Sequence, residues 1–512
     1  MTVWHVAREY AGVAEAGGVK DVVRGLAEAQ ARAGDRPTVV LPLYGFLPES
    51  FRAGPCLAAF SFPLPDHDRG NALFEEKICV RSATLDGVRL LLVESARYSA
   101  SRDIYTYTAR DEEENHWKKR GTGHWDVHQM NVSLQRAALE TARALGEHPD
   151  LFHCHDGHAA FLPAMLRRDP LGAASGAVVT IHNAGAGYHQ EVWSGELAAL
   201  LTGLPADVIS AGNLHGSIDP FLVSAADATM TTVSERYAEE LLAEHDREMS
   251  GGLGRAFRER GVRLIGITNG IDPRPWDPRA RDASGLPFPF DPASGDLEGK
   301  KKCRAELYRS LARADRADGP LYAFVGRLTG QKGVDVLFHA LQGLLRSDAR
   351  RSFVVLGTGE QEKEAMLGWL ASSTPSGRLV FVPRYDARLA SLIYAASDFF
   401  LVPSEYEPCG LTDFIAQIRG SIPIVHRVGG LVKVRDGETG FSYDEQSAAA
   451  LGAVVERTTS LYSSGDTLLD RIRRRAFSEI FASHTWDRVY AEAYLPLYRA
   501  AHPAPGNAWT AR

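Results

Sequence analysis

Cysteine is scarce in this sequence: five in 512 residues, at Cys56, Cys79, Cys154, Cys303 and Cys409. They show no paired spacing, so neither a disulfide framework nor a zinc knuckle is expected, and a reduced, cytoplasmic compartment fits best. No apolar run reaches membrane-spanning length. The chain enters Val3-Trp4-His5-Val6, read as a first strand, with no basic segment and long apolar run of a secretory leader before it. An excess of positive charge is missing too. The 57 Lys and Arg stand against 64 Asp and Glu for a net charge of −7, so nothing marks a binder of nucleic acid or of an anionic membrane. Local basic clusters are left to serve small anions. There is no repeat of solenoid length, and no two acids read as nucleophile and proton donor, which argues against the two-carboxylate scheme of glycoside hydrolysis.

Apolar residues make up 45% of the chain, enough for well-buried domains, and its length favours two or more of them. In the first half, Thr38 to Leu41, Val88 to Val93, Leu151 to Cys154 and Ala177 to Ile181 read as strands, while Val19, Val22, Val23, Leu26 and Ala27 share one helical face. In the second, Leu321 to Val325, Phe353 to Leu356, Leu379 to Val382, Phe399 to Val402 and Ile422 to Val425 each precede a helical pattern or a tight turn. The alternation predicts an α/β protein of two doubly wound, Rossmann-like domains, with ligands at the carboxyl ends of the strands in a central cleft. Pro273, Pro275, Pro278, Pro287, Pro289 and Pro292 cannot continue a helix or a central strand. The linker is placed there, between a first domain of residues 1–280 and a second of residues 281–482. Past His502, Pro503, Pro505 and Gly506 suggest a frayed tail. The charged run Arg110 to Arg120 reads as a solvated loop, with Trp117 and Trp125 leaving a sugar-stacking flap open.

Leu401 to Thr412 puts one carboxylate, Glu407, where a strand ends and a helix begins. Helix starts present unpaired N–H groups and attract anions, so Glu407 is a candidate to hold a ligand's hydroxyls while the backbone at Cys409, Gly410, Leu411 and Thr412 holds its phosphate. The competing role is a simple helix cap. Phe324 to Gly333 forms a second strand-to-helix junction carrying Arg327 and Lys332, which suit one diphosphate as a fork and a point charge; a solvated surface pair is the alternative. Gly17 and Gly18 open the first helix, where a phosphate can approach the backbone without a Cβ in the way. Asp21 lies one turn in, facing the cleft or capping locally. His153-Cys154-His155-Asp156-Gly157-His158 follows a strand, as do some metallohydrolase ligands, although further ligands at matching strand ends are not obvious. His182 and Asn183 follow the strand ending at Ile181 and precede a run of small residues.

With these pieces the chain resembles the glycogen and starch synthases. The resemblance runs through His5, Glu15 to Val22, His153 to His158, Thr180-Ile181-His182-Asn183, Thr232-Val233-Ser234, Asn269-Gly270-Ile271-Asp272, Arg327 to Gly333, Glu407 to Thr412, Gly429-Gly430-Leu431 and Gly440-Phe441, in order and with plausible spacing. It implies a GT-B fold with an acceptor-side first domain, a second domain that binds the nucleotide sugar, and a segment 483–512 that crosses back to the first. It implies transfer of glucose from a nucleotide-glucose, ADP-glucose ahead of UDP-glucose, to the 4-hydroxyl of an α-1,4-glucan with retention. Asp156 would contact donor sugar or acceptor, with His155 and His158 packed around it. His182 and Asn183 would touch the sugar, the carbonyl of His182 steadying positive charge at the anomeric carbon. The leaving diphosphate, held by Arg327, Lys332 and the helix start at Gly410 to Thr412, would take the proton of the attacking hydroxyl, with no metal and no cofactor.

The chain departs from the family at Glu15-Ala16-Gly17-Gly18-Val19, where Lys-Thr-Gly-Gly-Leu is usual, so an acid replaces a cation near the donor phosphates. Glu15 is expected to pair with Lys20 or Arg427, or to accept a hydroxyl of donor or acceptor. The usual Tyr-Gln-Gly after His182-Asn183 is also absent, Tyr188-His189-Gln190 following only later, which places the chain in a divergent branch. A related transferase with another acceptor and a catalytically silent glucan-binding regulatory protein remain as alternatives. A phosphorylase is disfavoured, for want of a clear lysine site for pyridoxal.

Overall fold

The computed structural model describes residues 1–66, 70–170, 172–243, 249–313, 319–347, 350–374 and 377–502; the tail at Pro503, Pro505 and Gly506 lies outside them. The chain divides into two units, Met1–Gly270 with Val489–Arg512, and Ile271–Arg488. No helix among the described residues is long and apolar enough to cross a membrane.

The strands of the first unit are β1 (Thr2–Val6), β2 (Arg36–Pro42), β3 (Cys56–Asp66), β4 (Ala72–Leu85), β5 (Val88–Glu94), β6 (Leu151–His155), β7 (Gly176–Ile181), β8 (Asn213–Leu214), β9 (Ser217–Ile218), β10 (Thr229–Thr232) and β11 (Leu264–Gly266). All but β8 and β9, which pair with each other as a separate ribbon, join one sheet in the order β11-β10-β7-β6-β1-β2-β5-β4-β3. The central strands are parallel and buried on both faces, hence near-continuous apolar runs such as Val39, Val40 and Leu41. Helix Val19–Arg32 covers one face with Val22, Val23, Leu26 and Ala27 buried, as its periodicity predicts. The sequence did not announce the long antiparallel ribbon β3–β4 that closes one edge. It also corrects the reading of the cysteines: Cys56 and Cys79, 23 residues apart, are brought together by the ribbon and form a disulfide. Strand pairing, not local spacing, created that proximity.

The second unit adds β12 (Leu321–Val325), β13 (Ser352–Leu356), β14 (Leu379–Val382), β15 (Phe399–Val402), β16 (Ile422–His426) and β17 (Phe441–Tyr443), all parallel, in the order β14-β13-β12-β15-β16-β17. Alternate residues feed two cores: Tyr322, Phe324, Phe353 and Val355 pack to one side, Leu321, Ala323, Val354 and Leu356 to the other. The proline-rich stretch read as a linker lies inside this unit, which begins at Ile271. Its Trp276 and Ala293 pack against Ile271, Phe414, Ile418, Phe477 and Ile480, so apolar burial holds a backbone that prolines keep out of regular structure. The last described segment, from Val489, clusters with the first unit; there Tyr490 donates a hydrogen bond to Asp35 and Tyr498 lies against His153.

The junction after β12 depends on one glycine. Gly333 has φ +67°, and a Cβ there would stand 1.7 Å from the carbonyl oxygen of Pro403. Gly333→Ala is expected to destabilise the second unit by more than the ~1–2 kcal/mol that left-handed backbone alone costs an alanine. Gly330→Ala, in open space and without a positive φ, serves as the control. Denaturant unfolding of both variants checks this, and equal midpoints would show that the close approach carries no stability.

Candidate active site

In the second unit the strand order reverses between β12 and β15, and their carboxyl ends form a topological switch point of the kind where open α/β sheets bind ligands. The two loops that leave these ends are stitched together. Glu405 N–H donates to the Gln331 carbonyl at 2.9 Å, and Lys332 Nζ reaches Glu407 Oε2 at 2.6 Å. Ser404 Oγ donates to the same carboxylate oxygen at 2.9 Å. Burial pushes the Glu407 carboxyl up, but Lys332, Ser404 and Lys433 outweigh it and leave the pKa below its ordinary value, so a buried acid stays charged. Arg327 is exposed, and its side chain has no hydrogen-bond or ion-pair partner among the described residues.

The loop Cys409 to Thr412 is held from beneath by Lys433, whose Nζ donates to the carbonyls of Cys409 (2.6 Å), Gly410 (2.9 Å) and Gly430 (3.0 Å) and lies 3.1 Å from Asp413 Oδ2. Gly410 turns with φ +76°, and a Cβ would crowd Asp413 and Leu431 at 2.9 Å. Leu411 precedes helix Thr412–Ile418 with no side-chain cap. The helix start already holds Asp413, fully buried, whose pKa burial raises to about 6 against the pull of Lys433. Lys433 stands two residues past Gly429-Gly430-Leu431, and sequence reasoning passed over it. A lone lysine just after a glycine pair was the only signal.

In the first unit the order reverses at β1 and β6. His5 sits opposite His153 in the parallel register, and His153 and His155, two apart on one strand, share its face. His182 follows the end of β7. The rings form a stacked row, with centroids 4.2 Å apart for His153 and His155, 5.4 Å for His5 and His155, and 5.3 Å for His155 and His182. His158 does not join it and stacks on Tyr105 instead. Asp156 is buried in a sparsely populated backbone conformation, φ 58° and ψ −179°, which costs on the order of 1–3 kcal/mol. Its Oδ1 accepts the His182 backbone N–H at 2.7 Å, so the acid fixes the turn that presents His182. Burial, then the charge of Glu9, raises the Asp156 pKa to about 7. Asn183 folds back, its Oδ1 accepting the Gly185 N–H at 2.8 Å.

The N-terminal loop differs from expectation. The amides of Ala16 and Gly17 donate to Glu9 Oε2 at 3.1 and 2.6 Å, and Tyr105 donates to the other oxygen at 2.6 Å. Glu9, which the sequence reading did not single out, thus takes the Gly17 amide, where a phosphate was expected to approach. Glu15 accepts the Gly12 N–H at 2.5 Å. The two cations expected to compensate it have other partners, Lys20 with Asp21 at 2.9 Å and Arg427 with Asp444 at 2.5 Å. Asp21 is exposed beside that lysine, and Gly18 at the helix start is exposed as well.

Asp156 carries a pH signature. An unfolded aspartate titrates near ~3.9, and the folded group near about 7, so the folded state binds the proton more tightly and wild-type stability falls as pH rises across that window. Asp156→Asn lacks this term and keeps an oxygen for the His182 N–H. The stability difference, variant minus wild type, should therefore move in favour of the variant between pH 4.5 and pH 8. Unfolding midpoints at the two pH values test it, and a pH-independent difference would contradict the raised pKa.

Residues 2–259 match the family described as the starch synthase catalytic domain, and residues 312–476 match glycosyl transferases group 1. A glycogen synthase of Exiguobacterium sibiricum is 32% identical, covering 98% of this chain and 100% of its own length. That of Syntrophotalea carbinolica is 31% identical, covering 98% and 99%. Among solved structures, the catalytic domain of starch synthase IV from Arabidopsis thaliana, bound to ADP and acarbose, is 26% identical with a TM-score of 0.77, covering 98% of this chain and 99% of that one. A sucrose-phosphate synthase from Thermosynechococcus elongatus, 17% identical over 97% of this chain and 99% of its own at a TM-score of 0.55, shares the fold. Two doubly wound α/β units, motif-bearing switch points in both and full-length relatives agree: the chain belongs to the glycogen and starch synthase family of GT-B glycosyltransferases.

Proposed function

We propose that the protein transfers glucose from a nucleotide-glucose, ADP-glucose ahead of UDP-glucose, to the 4-hydroxyl of an α-1,4-glucan with retention of configuration. The observation that carries the reading is the stitched pair of loops at the β12–β15 switch point, where Lys332 and Glu407 stand 2.6 Å apart and Arg327 is exposed nearby in sequence. A diphosphate offers Lys332 a second anion and Arg327 a bidentate partner. Glu407, kept charged by its neighbours, accepts hydrogen bonds from sugar hydroxyls. In the first unit His182, oriented by Asp156, accepts a hydroxyl, and its carbonyl steadies charge at the anomeric carbon. The leaving diphosphate takes the proton of the attacking hydroxyl, so the reaction needs neither a metal nor a second catalytic acid. The ADP and acarbose held by the Arabidopsis relative support an adenine nucleotide and a glucan-like acceptor. A second reading, glucan binding without transfer, is favoured by Glu9 occupying the Gly17 amide. Incubation with glycogen or maltooligosaccharides and each nucleotide-glucose, followed by released nucleotide and chain growth, separates the two.

Arg327→Ala and Lys332→Ala should each lower turnover by about a hundredfold or more, the cost of removing a preorganised partner of developing charge. Glu407→Ala should abolish most transfer yet leave nucleoside diphosphate binding intact or tighter, because Lys332 loses a competing carboxylate. Steady-state kinetics with calorimetric titration of nucleoside diphosphate distinguish these roles; near-normal rates in both cation variants would sink the phosphate assignment.

Chelation with EDTA should leave activity unchanged. Complete loss, restored by zinc or magnesium, would instead support a metal at His5, His153 and His155, whose ring nitrogens are close enough to share one.

A further inference from the structure

The histidine row is one part of a longer hydrogen-bonded chain whose protons have a definite order. Burial lowers the pKa of His5 to about 4 and that of His182 to about 3, and holds His153 and His155 well below the ordinary value. All four rings are therefore neutral near pH 7, and each has one N–H to give and one bare nitrogen to receive. His5 Nε2 lies 2.8 Å from Gln30 Oε1, and His5 Nδ1 lies 3.1 Å from His155 Nε2. His155 Nδ1 lies 3.0 Å from His182 Nε2. From the other end of the Gln30 amide, Nε2 donates to Tyr498 Oη at 3.3 Å, and Tyr498 Oη lies 2.7 Å from His153 Nδ1. His153 Nε2 lies 2.6 Å from Thr180 Oγ1, which lies 2.7 Å from Thr231 Oγ1.

The far end decides the direction. Thr231 Oγ1 lies 3.2 Å from the carbonyl of Val179, which accepts and never donates. With Thr231 donating there, Thr180 donates to Thr231, His153 donates through Nε2 to Thr180, and Tyr498 donates to the bare Nδ1 of His153. Tyr498 then receives the Gln30 amide N–H, which turns the Gln30 oxygen to His5. His5 donates through Nε2, His155 donates through Nε2 to His5, and His182 donates through Nε2 to His155. Each ring N–H and each hydroxyl of the chain is used once. His182 Nδ1 is left bare, and no described residue bonds it.

We propose that this chain locks His182 as the Nε2–H tautomer, so that its Nδ1 is a fixed acceptor for a sugar hydroxyl, and that Thr231, Tyr498 and Gln30 are positioning residues acting through it. The role for the sugar rests on the function proposed above; the tautomer does not. The opposite tautomer would present a donor where the hydroxyl must donate, and would leave the Val179 carbonyl without Thr231. The same bonds occupy the nitrogens of His5, His153 and His155 that a metal would need.

The test is nitrogen NMR of the full-length protein with 15N-labelled histidine rings, the His182 signals being identified by their loss in His182→Ala. Wild type should show a protonated Nε2 and a bare Nδ1. Thr231→Val removes the acceptor of the Thr180 hydroxyl, which then donates to His153 Nε2 and reverses the order, shifting His182 towards Nδ1–H. Tyr498→Phe cuts the chain and should give a mixture of both forms, which serves if the threonine variant fails to fold. If the transferase reading holds, both variants lose about tenfold in kcat, the worth of one hydrogen bond, with a smaller change in KM for the donor. A protonated Nδ1 in wild type, or the wild-type ratio in both variants, would overturn the proposal whatever the activity. Stoichiometric uptake of zinc alone by the wild-type protein, abolished in His155→Ala, would overturn it as well.

Discussion

In a doubly wound sheet the connections run one way up to a given strand and the other way beyond it, so two neighbouring parallel strands send their chains apart at their carboxyl ends. No crossover helix closes the gap between them. Here that constraint falls on β12 and β15 in the second unit and on β1 and β6 in the first. Loops left at such a gap must hold themselves. In the second unit they do so through the contact of Gly333 with Pro403, the Gln331–Glu405 backbone bond and the Lys332–Glu407 pair. In the first, the row of rings from His5 to His182 and the bond from His182 N–H to Asp156 serve the same end.

The two switch points handle buried polarity differently. The second keeps charges and pairs them, Lys332 with Glu407 and Lys433 with Asp413 and three carbonyls, because a buried ion is tolerable only when its partners are in place. The first keeps the four rings of the row, His5, His153, His155 and His182, neutral and relies on the order of their protons. The proposed diphosphate would meet the paired cations of the former, where Lys332 could exchange one anion for another. The proposed sugar hydroxyls would meet the latter, where a neutral ring nitrogen discriminates donor from acceptor without attracting charge.

Most of the architecture was legible because parallel strands buried on both faces write themselves as apolar runs, and every strand read that way between Thr38 and Val425 is present. The edge ribbon β3–β4 was not, because its alternating, half-exposed residues resemble a loop when read singly, and with it went the Cys56–Cys79 pairing. Among the candidate site residues, Arg327, Lys332, Glu407, Asp156 and His182 announced themselves by standing next to glycines or near strand ends. Gln30 and Tyr498 carried no such mark. Each lies inside a helix and meets the histidines only through tertiary folding, Tyr498 across 345 positions of sequence. The proline-rich segment carried a different gap: proline reports what the backbone cannot do, and says nothing about whether Trp276 beside it packs against a core.

The N-terminal loop shows how an unusual acid changes the division of labour. Replacing the family's lysine by Glu15 suggested a missing cation that some other cation must supply. The loop instead satisfies its acids with N–H and O–H groups: Glu15 with the Gly12 amide, and Glu9 with the amides of Ala16 and Gly17 and the hydroxyl of Tyr105. A phosphate bound at the Gly17 amide would meet the Glu9 carboxylate at hydrogen-bonding range, where like charges repel by on the order of a few kcal/mol in a partly solvated site. The carboxylate would have to leave, giving up three hydrogen bonds. Arg327 and Lys332 face no such competitor beyond Glu407, which the sugar itself can engage. The physical case for phosphate binding therefore rests on the β12 junction, and the Gly17 amide is better suited to letting Glu9 close the loop ahead of the first helix than to receiving the donor.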